Sequence, residues 1–279
     1  MSKMRFLNSE MSIIDIHLHA FPDKLAPRVL KSLSDSGGGL VPCFDGTMNG
    51  LSSLLQQAGI KQGVVLTIAA KPSQEESVNR FAIENNSPDL KFFGSIHPRS
   101  KRIREQLQEL KDAGIPGIKF HPEYQHFNVD DPAMLPIYTQ IAEMGFVTLF
   151  HAGLDVSYDL PGHCRPASLA RALPYFGGAP VIAAHLGGYM LWEEVERELV
   201  GKDIYLDTSY SHSRVLIPQL TRIIRNHGAD KIVFGSDAPW SQPLLEAGLI
   251  KRLEISAAEK EAILVENARR LLGFREIKG

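Results

Sequence analysis

The sequence has few cysteines, no surplus of positive charge and no long apolar run. Of its 279 residues only two are cysteines, Cys43 and Cys164, which argues against a disulfide framework and favours a reducing compartment. The 30 Lys and Arg against 32 Asp and Glu give a formal net charge of -2, so nucleic acid and anionic membranes are not expected partners. Residues 1–11 show neither a signal-peptide pattern nor a membrane-spanning stretch, and we therefore expect a cytoplasmic protein.

Short apolar runs rich in branched residues recur along the whole chain. Such runs are typical of buried β-strands. Eight strands are predicted, over residues 12–19, 63–69, 91–97, 116–121, 146–151, 181–185, 203–208 and 231–237. Helical patterns separate most of them, and the predicted helices cover 49–58, 100–113, 131–144, 215–227 and 256–272. Pro132 is expected in the first turn of the third helix, and Ser256 with Glu259 has the spacing of a capping box.

The alternation of strands and helices predicts parallel pairing through right-handed crossovers. Eight such units in about 250 residues match a closed (β/α)8 TIM barrel. The competing architecture, an open doubly wound sheet, usually carries a glycine-rich phosphate turn after its first strand. His17-Leu18-His19-Ala20-Phe21-Pro22 stands there instead. We therefore expect an α/β fold with one TIM-barrel domain over residues 12–279, preceded by an extension over 1–11.

Polar side chains close four of the predicted strands. They are His17, His19, His151, His185 and Asp237. The carboxyl ends of parallel barrel strands meet at one face, so these groups are expected in one pocket. Unpaired, they would cost on the order of several kcal/mol of desolvation, which a bound ion offsets. Imidazoles and a carboxylate together are typical ligands of a divalent metal, and a histidine-rich set favours zinc.

Further polar residues accompany this set, with more than one interpretation each. Asp15 lies two positions before His17 on the same strand face and is expected to orient a ligand imidazole. Lys119 either is carbamylated and bridges two ions or stays an ammonium that binds a substrate carboxylate or an oxyanion. His121 shares the face of Lys119 and is a candidate substrate-binding residue. Glu123 is a third candidate ligand, although a loop carboxylate is more often solvated.

Two predicted connections are long enough to shape a substrate pocket at the carboxyl face of the barrel. They cover residues 20–49 and 152–168. The second contains His163 and Arg165, which are candidate substrate-binding residues, and a solvated loop explains both equally well.

Four other residues at strand ends have a structural interpretation beside a functional one. Tyr189 and Trp240 follow the sixth and eighth strands, and either form walls of the pocket or pack against neighbouring loops. His97 is interpreted as a satisfied core residue. Asp207 ends the seventh strand without a histidine neighbour, which favours a cap for the loop after it.

Six segments in order resemble the amidohydrolase superfamily, in the amidohydrolase-2 branch of metal-dependent TIM-barrel hydrolases and decarboxylases. The segments are IDIHLH (14–19), GIKFHP (117–122), HAG (151–153), AHLGG (184–188), YLDTS (205–209) and FGSDAPW (234–240). Residues 266–272 also resemble the closing helix of that branch. The motifs are specific for the superfamily and not for a substrate.

The resemblance implies a set of roles for these residues. The implied metal ligands are His17, His19, His151 and Asp237. His185 then polarises the metal-bound water or binds a second ion. In this branch the position of Lys119 is usually not a carbamylated bridge, which favours one ion over two. Zinc is the expected ion, and manganese is the alternative.

The expected reaction is hydrolysis of an ester, a lactone or an amide. Zinc can lower the pKa of a bound water to about 7, and Asp237 or His185 takes its proton as general base. Lys119 and Arg165 stabilise the oxyanion or bind a substrate carboxylate. The expected partner is a small molecule that carries a carbonyl or a carboxylate. A homo-oligomer is common among barrels of this type, but no interface stripe is evident.

Three alternatives remain open at this point. A non-oxidative decarboxylase on the same scaffold would use the same ligands, which do not separate the two reactions. A metal-free lactonase would use the same histidines with Lys119. A non-catalytic binding protein is disfavoured because no member of the ligand set is missing.

Overall fold

Eight parallel strands form a barrel in which each strand pairs with the next one in the sequence. The computed structural model describes residues 13–158 and 161–276, so the predicted extension over 1–11 lies outside the described residues. The strands are β1 (Ile14–Leu18), β2 (Gln62–Leu66), β3 (Leu90–Ser95), β4 (Gly117–Phe120), β5 (Val147–Phe150), β6 (Val181–Ala183), β7 (Tyr205–Asp207) and β8 (Ile232–Val233). Each coincides with a predicted strand.

Backbone hydrogen bonds between the first and last strands close the barrel. The N–H of Ile16 donates to the carbonyl of Phe234 at 2.9 Å, and the N–H of Asp237 donates to the carbonyl of His17 at 2.8 Å. The predicted single-domain TIM barrel is therefore confirmed. Closure also has a local consequence, because it fixes the backbone of Asp237 directly beside that of His17.

Helices cover the outside of the barrel. They are α1 (Ala26–Ser36), α2 (Met48–Ala58), α3 (Glu75–Asn85), α4 (Ile103–Asp112), α5 (Pro122–Gln125), α6 (Leu135–Glu143), α7 (Pro166–Ala172), α8 (Trp192–Glu198), α9 (Ile217–His227), α10 (Pro243–Arg252), α11 (Ala257–Glu261) and α12 (Asn267–Leu272). A π-helical turn, Ala262–Glu266, joins the last two. Within the described part of the chain, every helix is too short or too polar to cross a bilayer.

The helix ends confirm some of the predicted capping residues and contradict one. The hydroxyl of Ser256 accepts from the N–H of Glu259, and the Glu259 carboxylate accepts from the N–H of Ser256, so the predicted capping box is present. Gly59, with φ of 70°, ends α2 in the left-handed conformation that glycine adopts at little cost. The prediction for Pro132 is wrong: α6 begins at Leu135 and has Pro136 in its first turn.

The long connection after β1 contains a helix that the sequence analysis missed. This helix, α1, occupies eleven residues of the predicted 20–49 connection. Its buried positions, Ala26 and Leu30, are four residues apart and therefore share one face of the helix. Only these two helix residues are buried, and its other apolar residues, such as Val29 and Leu33, are partly buried.

Aromatic packing makes the β4–β5 side of the barrel stiff. The rings of Phe120 and Phe150 stack with centroids 5.4 Å apart, and Tyr138 from α6 meets Phe150 edge-on at 5.5 Å. The Tyr138 hydroxyl donates to the carbonyl of Val129 at 2.9 Å, which satisfies its one polar group. These strands therefore present the residues at their carboxyl ends from a rigid base.

Candidate metal centre

The carboxyl ends of the strands open onto one cavity of about 370 Å³. Nine of the predicted site residues line it: His17, His19, Lys119, His121, His151, His185, Tyr189, Asp237 and Trp240. The structure does not bring His163 and Arg165 into that lining. This volume is in the range that small-molecule sites occupy.

The first cluster in the cavity, which we call the β1–β8 group, consists of His17, His19 and Asp237. Nε2 of His17 and Nε2 of His19 each lie 3.3 Å from Oδ1 of Asp237. The two histidines are two residues apart at the end of β1, so they share a face. Barrel closure supplies the aspartate from the far end of the sequence. All three residues are buried.

Hydrogen-bond partners behind the two rings decide where their protons lie. Nδ1 of His17 is 2.8 Å from Oδ2 of Asp207, a carboxylate that accepts the imidazole proton. Nδ1 of His19 is 3.0 Å from the carbonyl of Leu66, which can only accept. In both neutral rings the proton is therefore on Nδ1 and the lone pair is on Nε2. Burial, and then the Lys119 ammonium, hold the pKa of His17 well below its ordinary value.

Three hydrogen-bond acceptors thus converge in the β1–β8 group, with no hydrogen to share. Two are imidazole lone pairs, and the third is the Asp237 carboxylate oxygen. The nitrogen-to-oxygen distances of 3.3 Å match those of a tetrahedral metal site. Two ligand atoms that each lie 2.1 Å from such an ion are about 3.4 Å from each other. A divalent cation relieves this repulsion, so the residues present fit a metal ion.

The second cluster, which we call the β4–β5 group, consists of His121, His151 and Asp155. Nε2 of His121 and Nε2 of His151 lie 3.5 Å and 3.8 Å from Oδ2 of Asp155. The imidazole rings are stacked, with centroids 4.1 Å apart and planes at 9°. Imidazole lone pairs lie in the ring plane, so one ion cannot lie along both. This group fits hydrogen bonding to the carboxylate and does not fit a metal ion.

A second pair of acceptors connects β5 to β6. Nδ1 of His151 and Nε2 of His185 are 3.1 Å apart. The other nitrogen of His151 faces the carbonyl of Leu154 at 3.1 Å and therefore carries the proton. Nδ1 of His185 lies 2.9 Å from the Ser209 hydroxyl, whose own hydrogen goes to Asp207. Both facing nitrogens thus carry lone pairs, and burial lowers the pKa of both rings.

Two residues of the site have left-handed backbones that are uncommon outside glycine. His185 has φ of 57° and Asp237 has φ of 69°. The N–H of His185 donates to Oδ1 of Asp207 at 3.0 Å, and the N–H of Leu186 donates to the carbonyl of Asp207 at 2.7 Å. Asp207 therefore holds the His185 backbone with one carboxylate oxygen and the His17 ring with the other.

The carboxylate that orients His17 is not the expected one. Oδ1 of Asp15 accepts from the backbone N–H groups of His17 at 3.1 Å and Ser236 at 3.0 Å, so it joins two strands and does not contact the imidazole. Asp207 takes the role predicted for Asp15. It also accepts from the N–H of Ser209 at 2.9 Å, as expected of a loop cap. Burial raises the pKa of Asp15 to about 7.

Residues 14–274 match the family model described as amidohydrolase. The chain belongs to the amidohydrolase family. The match spans the strands that carry both groups and all six motifs, which confirms the resemblance to the amidohydrolase-2 branch. None of the proteins of curated function has a matching sequence.

Three solved structures are similar to this member of the family. The 5-carboxyvanillate decarboxylase of Sphingomonas paucimobilis is 13% identical, with a TM-score of 0.70 over 95% of this chain and 100% of that one. A dihydroxybenzoic acid decarboxylase of a Polaromonas species, solved with manganese and an inhibitor, is 16% identical, with a TM-score of 0.68 over 94% and 97%. A putative 2-pyrone-4,6-dicarboxylic acid hydrolase of Pseudomonas putida is 19% identical, with a TM-score of 0.66 over 96% and 99%. These likenesses support the barrel fold.

Lys119 places a buried ammonium on the cavity wall. Its side chain is almost completely buried and belongs to the cavity lining. Burial lowers the pKa of Lys119 to about 8, although the carboxylates of Asp207 and Asp237 oppose that shift. Near neutral pH the group is mostly protonated. It can therefore bind a carboxylate or an oxyanion that enters the cavity.

Arg165 and His163 are held away from the cavity by other partners. The Arg165 guanidinium pairs with the carboxylate of Glu194 and donates to the carbonyl of Pro161 at 2.9 Å. The backbone N–H of His163 donates to Oε1 of Glu123 at 2.7 Å. The expectation that Glu123 is solvated is wrong, because its side chain is fully buried. It joins the loop after β5 to the short helix α5 after β4.

Two cavity residues had no signal in the sequence. Asp155 lies in the long loop after β5, which was expected to shape the pocket, but no pattern singled it out. Burial raises its pKa. Tyr124 stacks on His121 with centroids 3.7 Å apart and planes at 8°. His97 is fully buried, as expected of a core residue, and its Nδ1 accepts from the backbone N–H of Arg99 at 3.1 Å. Its buried Nε2 has no hydrogen-bond partner among the described residues, so the expectation of a satisfied histidine holds for one ring nitrogen only.

Proposed function

We propose that the chain is a divalent-metal-dependent hydrolase that acts at the carbonyl carbon of an ester, a lactone or an amide. The observation that carries this proposal is the convergence of acceptors in the β1–β8 group. We assign one ion to His17, His19 and Asp237, and a fourth-ligand role to Nδ1 of His151, which carries the lone pair and is not the nitrogen that faces Asp155. Zinc suits the imidazole-rich set, and the manganese in one similar structure makes that ion the alternative.

A bound divalent ion supplies Lewis-acid chemistry, which polarises a carbonyl and acidifies water. His185 or Asp237 takes a proton as general base. Nδ1 of His185 is held by Ser209, so its Nε2 lone pair is available. Lys119 binds the developing oxyanion or a substrate carboxylate from the neighbouring wall. Asp207 keeps the proton of His17 on Nδ1 and so keeps Nε2 as the ligand atom.

Non-oxidative decarboxylation is the second candidate function. Two observations favour it: decarboxylases are among the similar structures, and Lys119 provides an ammonium for a substrate carboxylate inside the cavity. In that reaction His185 or Asp237 would deliver a proton to the carbon that loses carbon dioxide. The metal-free lactonase is less well supported, because it leaves the converging acceptors without a cation.

The test is the metal content per chain of protein purified without chelator, together with a substrate screen. We expect about one ion per chain, lost with activity in His17→Ala and retained in His163→Ala, which changes a histidine outside the cavity lining. Release of carbon dioxide identifies decarboxylation, and an unchanged carbon count identifies hydrolysis. Activity without metal that survives a chelator would overturn the proposal and favour the metal-free lactonase.

A further inference from the structure

Beside its polar groups, the cavity lining has an apolar part contributed by α1 and α3, which we call the apolar end. From α1 and the residue before it come Leu25, Val29 and Leu33, and from α3 come Val78 and Phe81. The three α1 positions are spaced by four residues, so they form one stripe along the helix. The polar and apolar ends belong to one continuous space.

The α1 stripe faces the cavity and not the core. The fully buried positions of α1 are Ala26 and Leu30, which lie one residue further along and therefore on a neighbouring face. Leu25 is 50% exposed at the mouth, whereas Val29 and Leu33 are partly buried. Apolar side chains that line a cavity are removed from water when an apolar molecule binds there, and this removal favours binding.

The charged side chains of the cavity lie at its polar end. Among the described residues that line it, Lys119 is the sole Lys or Arg, and it lies with the histidines at the polar end. The carboxylates of Asp155 and Asp237 lie at that end as well. The α3 side also contributes Gln74 and Ser77, which are uncharged, and the Ser77 hydroxyl already donates to the carbonyl of Gln74 at 2.9 Å. The desolvation of a second substrate carboxylate beside Val78 and Phe81 would therefore have no compensating cation.

We infer that the substrate has one polar head, a carbonyl or a carboxylate, joined to an uncharged hydrocarbon body that lies between α1 and α3. The placement of the head rests on the proposed function, whereas the character of the body rests on the apolar walls. The inference excludes dicarboxylic acids as preferred substrates, unlike the acid named for the Pseudomonas putida structure.

Calorimetric titration of the full-length protein tests this with two matched series of probes. One is the n-alkanoates from butanoate to decanoate, and the other is the α,ω-dicarboxylates of equal length. We expect alkanoate affinity to rise about fourfold per added methylene until the apolar end is filled, with each dicarboxylate at least about tenfold weaker than its partner. A parallel series of 4-alkylbenzoates shows whether the body is a chain or a ring. Equal affinities within each pair, or no rise with length, would overturn the inference.

Variants locate the binding of the hydrocarbon body. Phe81→Ala changes a lining residue of α3 and Leu33→Ser one of α1, and each is expected to flatten the rise with chain length. Leu216→Ser is the control, since Leu216 is 74% exposed and lies outside the lining. Leu33→Ser is included because Phe81 also packs edge-on against Phe92, so Phe81→Ala can lower stability as well as change the cavity. An unchanged rise in both folded variants would place the probes elsewhere and contradict the inference.

The metal content of each titrated sample separates the two proposals. A rise with chain length in protein that holds no ion, and whose activity survives a chelator, supports the hydrocarbon body and contradicts the metal-dependent function. No rise in protein that holds about one ion per chain contradicts the hydrocarbon body and leaves the metal-dependent function standing.

Discussion

The β1–β8 group and the β4–β5 group contain the same residue types at similar separations. Each has two histidines and one aspartate, with nitrogen-to-oxygen distances of 3.3 Å in the first group and 3.5 to 3.8 Å in the second. They differ in ring orientation. The rings of His17 and His19 are at 71° to each other, whereas those of His121 and His151 are nearly parallel.

The groups also differ in what lies behind each ring. In the β1–β8 group, a carboxylate and a carbonyl take the Nδ1 protons and leave both Nε2 lone pairs facing inward. In the β4–β5 group, the Nε2 proton of His151 points to the carbonyl of Leu154, on the same side as the aspartate. Proximity of histidines and a carboxylate is therefore a weak criterion for a metal site. The tautomer and the ring plane decide whether lone pairs converge.

The largest expected effect breaks one group and leaves the other intact. His19→Ala removes a converging lone pair, so we expect metal content to fall to roughly a tenth of an ion per chain and activity by roughly three orders of magnitude. His121→Ala is the matched change in the β4–β5 group and is expected to retain the metal. Elemental analysis of both proteins after gel filtration makes the comparison. Loss of the ion from His121→Ala alone would reverse the assignment.

A smaller effect is expected from the carboxylates that accompany the rings. Asp207→Asn weakens the acceptor that fixes the His17 tautomer, and we expect metal affinity to fall about 10- to 100-fold. Asp155→Asn changes the β4–β5 carboxylate and should leave metal affinity within about twofold, because we assign no ligand role to it. Competition with a chromophoric chelator measures both affinities. Similar losses in both variants would show that the two groups act as one site.

The smallest effect on the two groups themselves comes from a titration that belongs to neither and would obscure their pH profiles. Burial raises the pKa of Glu246 from 4.5 to about 7, against hydrogen bonds from Ser241, His212 and Ser211. The folded state thus binds this proton more tightly than the unfolded state. The free energy of unfolding should therefore fall as pH rises from about 4.5 to about 7 and then level off, by at most about 3 kcal/mol.

Glu246→Gln cannot ionise and should lack that decline. Urea unfolding of both proteins at a series of pH values from 5 to 8 measures the difference in the free energy of unfolding. Parallel profiles would show that Glu246 titrates normally in the folded protein. Any decline that remains in Glu246→Gln belongs to other buried carboxyl groups, such as Asp15, whose pKa is also raised to about 7.

Much of the fold could be predicted from local patterns. All eight strands were found, because each is a short buried run whose side chains have few alternatives to the core. The capping box at Ser256 was found because both of its partners lie within four residues. Helix α1 was missed, since its face toward the cavity and its face toward the core divide a short apolar pattern between them.

The candidate site was predicted less evenly. Nine of its residues could be placed at strand ends, and they do line the cavity. His163 and Arg165 could not be judged from the sequence, because each is held by a carboxylate that is distant in the sequence, Glu123 or Glu194. Asp155 was missed because a loop residue has no periodicity that indicates its direction.

The sequence by itself determined that His17 and His19 share a face and that four strand ends deliver imidazoles or a carboxylate to one mouth. This follows from strand alternation and from the parallel order of a barrel. Only the tertiary structure decided which nitrogens carry protons. The partner that sets the tautomer of His17 is Asp207, 190 residues away in the chain, and such a contact exists only once the barrel has closed.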